Sequence, residues 1–127
     1  MQMSSILLNP KLTGDIYSTS EVKTNRKWID SKPIYRKVIT ANSLPNNSST
    51  TINHGISNLG TIIKQEFKWY DTTDQRWFYD YRYDSTTVLV RLGGITSTAI
   101  NITAVGVNWS TRTSNVSITL EYTKTTD

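Results

Sequence analysis

The sequence predicts an all-β protein, an antiparallel β-sandwich of jelly-roll-like type, on three observations. Ile, Val and Thr together supply 40 of the 127 residues, whereas Ala occurs only three times. Their β-branched side chains suit a pleated strand better than a helix. Short strand candidates recur at close intervals with turn residues between them, a pattern typical of β-sandwiches and β-barrels. In the last candidate Val116, Ile118, Leu120 and Tyr122 alternate with positions predicted to face water, Glu121 and Thr123 among them.

The first part of the chain is predicted to contain a lead-in, a hairpin, one further strand and a loop. Residues 1–16 have no sustained periodicity and are predicted to be an extended lead-in, followed by one sandwich head domain over residues 17–127. Residues 28–35 predict a hairpin, since Pro33 stands just past a polar turn, where its missing N–H does least harm to a ladder. A strand is predicted over residues 34–39. Residues 41–51 then predict a polar surface loop.

Most of the predicted strands lie in the second part of the chain. Apolar residues at positions 52, 56 and 59 indicate a single helical or 3₁₀ turn. Polar or glycine breaks then separate successive β-rich segments, among them Gly93-Gly94. The predicted strands are 61–70, 76–83, 87–92, 99–107 and 115–122.

Charge and composition exclude several classes of function. The net charge of +4 falls entirely within residues 1–37, far from the aromatic part of the chain. A nucleic-acid binder would interleave basic and aromatic residues, so no nucleic-acid partner is expected. The chain has no cysteine, and therefore no disulfide, thiolate zinc site or thiol nucleophile. No apolar run approaches the roughly 18 residues of a membrane span, so we expect a soluble chain without an export signal.

The inventory of reactive groups predicts that the protein is not an enzyme. His54 is the only imidazole, and its turn-like surroundings favour a hydrogen-bonding turn residue over a base or ligand. Asp80 and Asp84 would share a strand face, but nothing in the sequence raises the pKa of one above the other, as glycoside hydrolysis requires. We therefore expect no catalytic residue, no metal site and no cofactor.

The most distinctive local feature is aromatic: eight of the thirteen aromatic residues lie between positions 67 and 83. In a hairpin, Trp77, Tyr79, Tyr81 and Tyr83 would share one face. That face is either a core or subunit interface, or a surface on which rings stack against sugars while Asp and Arg bind the hydroxyls. We expect packing for most rings and ligand contact for those near the turn. The candidate ligand-binding residues are Trp69, Tyr70, Asp71, Asp74, Arg76, Trp77, Tyr79 and Arg82.

Four segments in order carry a family resemblance: they read YSTSE (17–21), WIDSKPIYRK (28–37), INHGI (52–56) and LEYTKTTD (120–127). Together they resemble the C-terminal module of many bacteriophage and prophage tail-fibre and minor structural proteins, of the form YSTxE…WIDGKPIYRK…YTKTTD. The resemblance runs from about Tyr17 to Asp127. Ser31 stands where glycine is usual, which indicates a turn that does not require positive φ.

The resemblance implies a receptor-binding head at the tip of a tail fibre. Such a head is made in the cytoplasm of the bacterial host, is carried on the virion and is typically a homotrimer. It binds a bacterial cell-surface glycan or another surface receptor, and the rest of the fibre lies upstream, with residues 1–16 as the stalk end. Three copies would bury apolar strand faces and give avidity. The resemblance also implies a framework role for the shared motifs, which leaves receptor specificity to residues 66–84 and to the loops over 93–98 and 108–114. A non-adhesive head-fibre or baseplate piece and a polysaccharide depolymerase fragment remain the alternatives.

Overall fold

The computed structural model describes residues 16–127, and this part of the chain is all-β, as predicted. The predicted lead-in over 1–16 lies outside the described residues, apart from Ile16. A 3₁₀ turn spans Trp109–Thr111. The strands are β1 (Val22–Lys27), β2 (Pro33–Ala41), β3 (Asn46–Asn53), β4 (Leu59–Asp71), β5 (Arg76–Tyr79), β6 (Tyr81–Tyr83), β7 (Leu89–Ile95), β8 (Ala99–Asn108) and β9 (Thr113–Lys124). Within residues 16–127, no helix has the length and apolar character needed to cross a membrane.

The strands form two antiparallel sheets. One has the order β1-β2-β9-β4-β5 and the other β3-β8-β7-β6. The chain divides into two compact units, which are described separately. The first unit comprises 16–38, Ser57–Gln65 and Thr119–Asp127, and the second comprises Ile39–Ile56 and Glu66–Ile118.

In the first unit a hairpin is present as β1 and β2, but its first strand lies upstream of the predicted range 28–35, and residues 28–32 form the turn. A buried ion pair accompanies the hairpin. Glu121 is 6% exposed although the alternation of β9 predicts it on the wet face. Its Oε2 accepts hydrogen bonds from Arg26 Nη2 at 2.7 Å and from Arg36 Nε at 3.0 Å. Burial by itself raises the pKa of Glu121, but the hydrogen bonds and charges of the two arginines outweigh it and hold the pKa below its usual range.

The turn of this hairpin corrects the expectation about Ser31, which has a φ of 69°. The Ser31 N–H donates to the carbonyl of Trp28 at 2.9 Å, and the Trp28 N–H donates to the carbonyl of Lys32 at 2.9 Å. The turn therefore closes through a left-handed residue, and the expectation of a turn without positive φ was wrong. Glycine adopts this conformation without a Cβ penalty, which explains why it suits the position.

Replacing Ser31 with glycine is expected to raise the free energy of unfolding by about 1 kcal/mol, because left-handed backbone costs about that much for a residue with a Cβ. Urea unfolding measures the change. Ser97→Gly is the matched control, since Ser97 is exposed and is not among the positive-φ residues. A Ser31→Gly protein no more stable than the parent chain would show that the turn carries no strain.

The second unit contains the larger core. In β8, Ile100, Ile102 and Ala104 are buried and alternate with half-exposed residues, as predicted. Other buried apolar side chains of this unit are Ile39, Leu44, Ile56, Phe67, Trp69, Val90, Trp109, Val116 and Ile118. The four-stranded sheet lies wholly in this unit, and its edge strands are β3 and β6.

Four sequence predictions in this unit were wrong. The second half of the predicted polar loop over 41–51 belongs to β3, an edge strand that pairs with β8 and tolerates polar side chains. The predicted helical turn over 52–59 is wrong, because β3 continues to Asn53 and residues 54–58 are non-helical up to the start of β4. The predicted break at Gly93-Gly94 lies inside β7, which continues with an irregular register to Ile95. The predicted strand over 76–83 divides at Asp80, where a φ of 63° separates β5 from β6.

His54 has the hydrogen-bonding turn role that its sequence context indicates. The ring is buried, and the Ile56 N–H donates to His54 Nδ1 at 3.0 Å. The other nitrogen, Nε2, lies 2.9 Å from the carbonyl oxygen of Thr96. Because Nδ1 accepts a hydrogen bond here, Nε2 carries the ring N–H and donates to the Thr96 carbonyl. Both ring nitrogens are engaged with the backbone, which leaves the imidazole no free atom for proton transfer.

Candidate functional site

The outer face of β4 and β5 carries an aromatic platform, defined here as Tyr70, Trp77 and Tyr79. In the antiparallel register Tyr70 lies opposite Trp77, and Lys68 lies opposite Tyr79. Directly opposed residues project to the same face of a sheet. The rings of Tyr70 and Trp77 meet edge to face at 5.5 Å between centroids. Trp77 is 43% exposed and Tyr79 60% exposed, so the platform is open to a ligand.

Beside the platform lies an open groove of about 900 Å³ in the second unit, called here the Trp77 groove. Trp77 and Lys68 contribute to its wall, and the other lining residues come from the end of β2 and the start of β9. These other residues are small or polar: Thr40, Ala41, Asn42, Ser114, Asn115, Val116 and Ser117. The wall thus combines one indole ring with amide, hydroxyl and ammonium groups.

The polar groups of this wall are available to a ligand. Within residues 16–127, the side chains of Asn42, Ser114, Asn115 and Ser117 make no hydrogen bond to protein. Asn115 also has a φ of 53° although it lies inside β9. A left-handed residue within a strand is strained, and asparagine is one of the few types that tolerate it. Such strained residues concentrate at functional sites, which supports the groove as the candidate site.

Three of the predicted ligand-binding residues instead form an internal ion-pair network with Arg112, called here the Asp71 network. Asp71 is fully buried, and its Oδ2 accepts from Arg82 Nη1 at 2.7 Å and from Arg112 Nη2 at 2.9 Å. Asp71 Oδ1 accepts the backbone N–H groups of Thr73 at 2.8 Å and Asp74 at 2.9 Å. Arg82 Nη2 donates to Asp74 Oδ2 at 2.9 Å.

The charges of this network compensate one another. Burial by itself raises the pKa of Asp71, but the backbone N–H of Asp74 and the hydrogen bond and charge of Arg112 outweigh it, and the pKa lies below its usual range. The Arg82 guanidinium stacks on Phe78 at 4.2 Å from its centroid and on Trp109 at 5.3 Å. Asp71, Asp74 and Arg82 therefore hold the turn between β4 and β5, with their hydrogen-bonding capacity used inside the protein.

The remaining predicted residues lie apart from the platform. Trp69 is fully buried, where it packs against Phe67 and Phe78 at 4.8 and 5.9 Å between ring centroids. Because Trp69 and Asp71 have no accessible surface, we leave them out of the proposed site. Arg76 is exposed, and its guanidinium lies 5.0 Å from the ring of Phe78, the neighbour of Trp77 that projects to the opposite face of β5.

Sequence reasoning missed most of the groove wall. Lys68 carried a usable signal, since alternation along the strand places it on the same face as Tyr70. Asn42 and Asn115 carried none, because Ser, Thr and Asn make up 44 of the 127 residues and no one of them stands out. Among the residues that the structure describes, no three His, Asp or Glu side chains lie close enough together to hold a metal ion.

Comparisons with known proteins gave no match to this chain from any family model, curated protein or solved structure. The resemblance to tail-fibre modules therefore stays a prediction from the sequence.

Proposed function

We propose that this chain is the receptor-binding head of a phage tail fibre and that it binds a bacterial cell-surface glycan in the Trp77 groove without cleaving it. One observation carries the proposal: a half-exposed indole stands beside unpartnered amide and hydroxyl groups in an open groove. The apolar C–H face of a sugar ring packs on an aromatic face, and its hydroxyls need hydrogen-bonding partners at the rim. The groove offers both.

The size and chemistry of the groove favour glycan binding over glycan hydrolysis. Its volume of about 900 Å³ falls within the range typical of ligand sites, roughly 300–1,000 Å³. A glycosidase needs two carboxyl groups that flank the scissile bond. The described groove wall contains none, and Asp71 and Asp74 are already paired with arginines. The carboxyl group of Asp71, whose pKa is lowered, is also a poor general acid. These features support a binding head over a depolymerase fragment.

The assembly belongs to the same proposal. We propose a jelly-roll-like sandwich head that acts as a homotrimer at the fibre tip, on the virion, with the rest of the fibre upstream. A single open groove gives weak binding, and three grooves on one tip raise the overall avidity without new contacts. The sequence resemblance and the two antiparallel sheets support this arrangement.

A glycan array tests the proposal. The purified, fluorescently labelled chain is applied to immobilised surface polysaccharides from diverse bacteria, with reducing-end release measured in parallel. We expect binding to at least one polysaccharide and no increase in reducing ends. Absence of binding to every polysaccharide would overturn the proposal in favour of a non-adhesive virion component, and release of reducing ends would overturn it in favour of a depolymerase.

A further inference from the structure

Among the described residues that line the Trp77 groove, Lys68 has the one charged side chain. Its Nζ lies 5.9 Å from the centroid of the Trp77 ring, so the ammonium stands over the surface on which a sugar would stack. The side chain is half-buried, and among residues 16–127 it forms no ion pair. Glu66, two positions earlier on the same face of β4, forms no ion pair with it either.

Arg82 and Arg112, the other partly buried basic residues of the second unit, are compensated in a way that Lys68 is not. Arg91, by contrast, is exposed and also forms no ion pair among residues 16–127. Arg82 meets three carboxylates, and Arg112 meets Asp71 at 2.9 Å. The indole below Lys68 interacts favourably with a cation but supplies no counter-charge. A half-buried ammonium with no carboxylate on the groove wall therefore favours an anionic ligand group.

A neutral sugar would fit this wall less well than an acidic one. Stacking on Trp77 would displace water from the neighbouring ammonium, and sugar hydroxyls replace that hydration without neutralising the charge. A carboxylate or phosphate oxygen makes a charge-assisted hydrogen bond, which is shorter and stronger than a neutral one. The partial exclusion of water by the groove wall strengthens that interaction relative to bulk solvent.

We infer that the Trp77 groove selects an acidic glycan and that the Lys68 ammonium binds its carboxylate or phosphate group while Trp77 packs against the sugar ring. This inference rests on the proposed function and adds the ligand class. The shared chemistry is a sugar polymer that carries one anionic group within reach of the stacked residue. Asn42 and Asn115 contribute neutral hydrogen bonds on the same wall.

The test uses an array of paired polysaccharides. Each uronic-acid polymer is printed beside its carboxyl-reduced form, and each phosphate-containing polymer beside its dephosphorylated form. We expect the native member of at least one pair to bind about tenfold more tightly than its neutralised partner, a preference that added salt weakens. The type of pair that responds identifies the source of the anionic group.

Two variants separate the role of Lys68 from general electrostatics. Lys68→Gln is expected to remove the difference in affinity between the two members of the pair, and Lys64→Gln, at an exposed position on the same strand outside the groove, is expected to retain that difference. Thermal unfolding of both variants checks that each is folded. Equal binding of native and neutralised forms, or a preference that survives Lys68→Gln, would overturn the inference and leave the proposed function standing. Absence of binding to every polymer would overturn both.

Discussion

Replacing Asp71 with alanine is expected to lower the free energy of unfolding by about 3–5 kcal/mol, because removal of one partner leaves the other charges of a buried network uncompensated. The substitution removes the buried carboxylate that Arg82 and Arg112 share, and it leaves these half-buried guanidinium groups with only the partly exposed Asp74 and Asp84 as counter-charges among the described residues. It also removes the acceptor for two backbone N–H groups of the following turn. Urea unfolding followed by tryptophan fluorescence measures the loss, since Trp109 stacks on both arginines.

Asp84→Ala is the matched control for this prediction. The Asp84 side chain is 42% exposed and, within residues 16–127, pairs only with Arg82, at 3.1 Å. An exposed ion pair contributes about 0–1 kcal/mol, so the control should unfold nearly as the parent chain does. Similar losses for Asp71→Ala and Asp84→Ala would contradict a structural role for the buried carboxylate.

The pH dependence of stability gives a second readout of the Asp71 network and also reports on the Glu121 ion pair of the first unit. The folded-state pKa values of Asp71 and Glu121 are both lowered, so their contribution is fully present above the usual carboxylate pKa. It is lost as the pH falls from about 4 toward the folded-state values, because the unfolded chain then binds protons first. Asp71→Ala should therefore lose less stability on acidification than the parent chain.

Replacing Trp77 with alanine is expected to weaken glycan binding about 30-fold, or ~2 kcal/mol, which is the typical loss at a central aromatic contact. Trp77 supplies the only aromatic ring in the groove lining, so the variant keeps the polar wall but loses the stacking surface. Its half-exposed side chain contributes little to the core, and the variant should stay folded. Binding isotherms for the polysaccharide selected by the array measure the change.

The alternation of apolar residues predicts some strands of this fold well and others poorly. β8 follows its local pattern because its inward residues Ile100, Ile102 and Ala104 are all apolar. β9 departs from its pattern at Glu121, whose burial depends on Arg26 and Arg36, 95 and 85 residues away in the sequence. No local pattern shows that such a carboxylate will be compensated, since the compensation is a property of the folded chain.

Polar edge strands are a second feature of the fold that local sequence patterns predict poorly. The sequence of β3 is NNSSTTIN, which has the composition of a loop, yet it pairs with β8 along most of its length. An edge strand with few buried side chains needs backbone hydrogen bonds more than apolar residues. Cross-strand contacts such as that between the hydroxyls of Ser49 and Thr103, at 2.8 Å, then take the place of apolar pairs.

The candidate site was predictable in part. Alternation places Trp77 and Tyr79 on one face, and both are exposed. The same rule, applied to β4, places Trp69 on the face opposite Tyr70 and accounts for its burial. The ion pair between Asp71 and Arg112 was not predictable from the sequence, because Arg112 lies 41 residues downstream. The sequence pattern thus identified the exposed rings but not which charged residues were already paired.

The most direct test of glycan binding in the Trp77 groove compares the affinities of the parent chain, Trp77→Ala and Tyr83→Ala for one polysaccharide. Tyr83 is an exposed aromatic residue, 57% accessible, that lies on β6 outside the groove lining. We predict a loss of about 30-fold for Trp77→Ala and an affinity for Tyr83→Ala equal to that of the parent chain. Undiminished binding by folded Trp77→Ala, or equal losses in the two variants, would contradict glycan binding in the Trp77 groove.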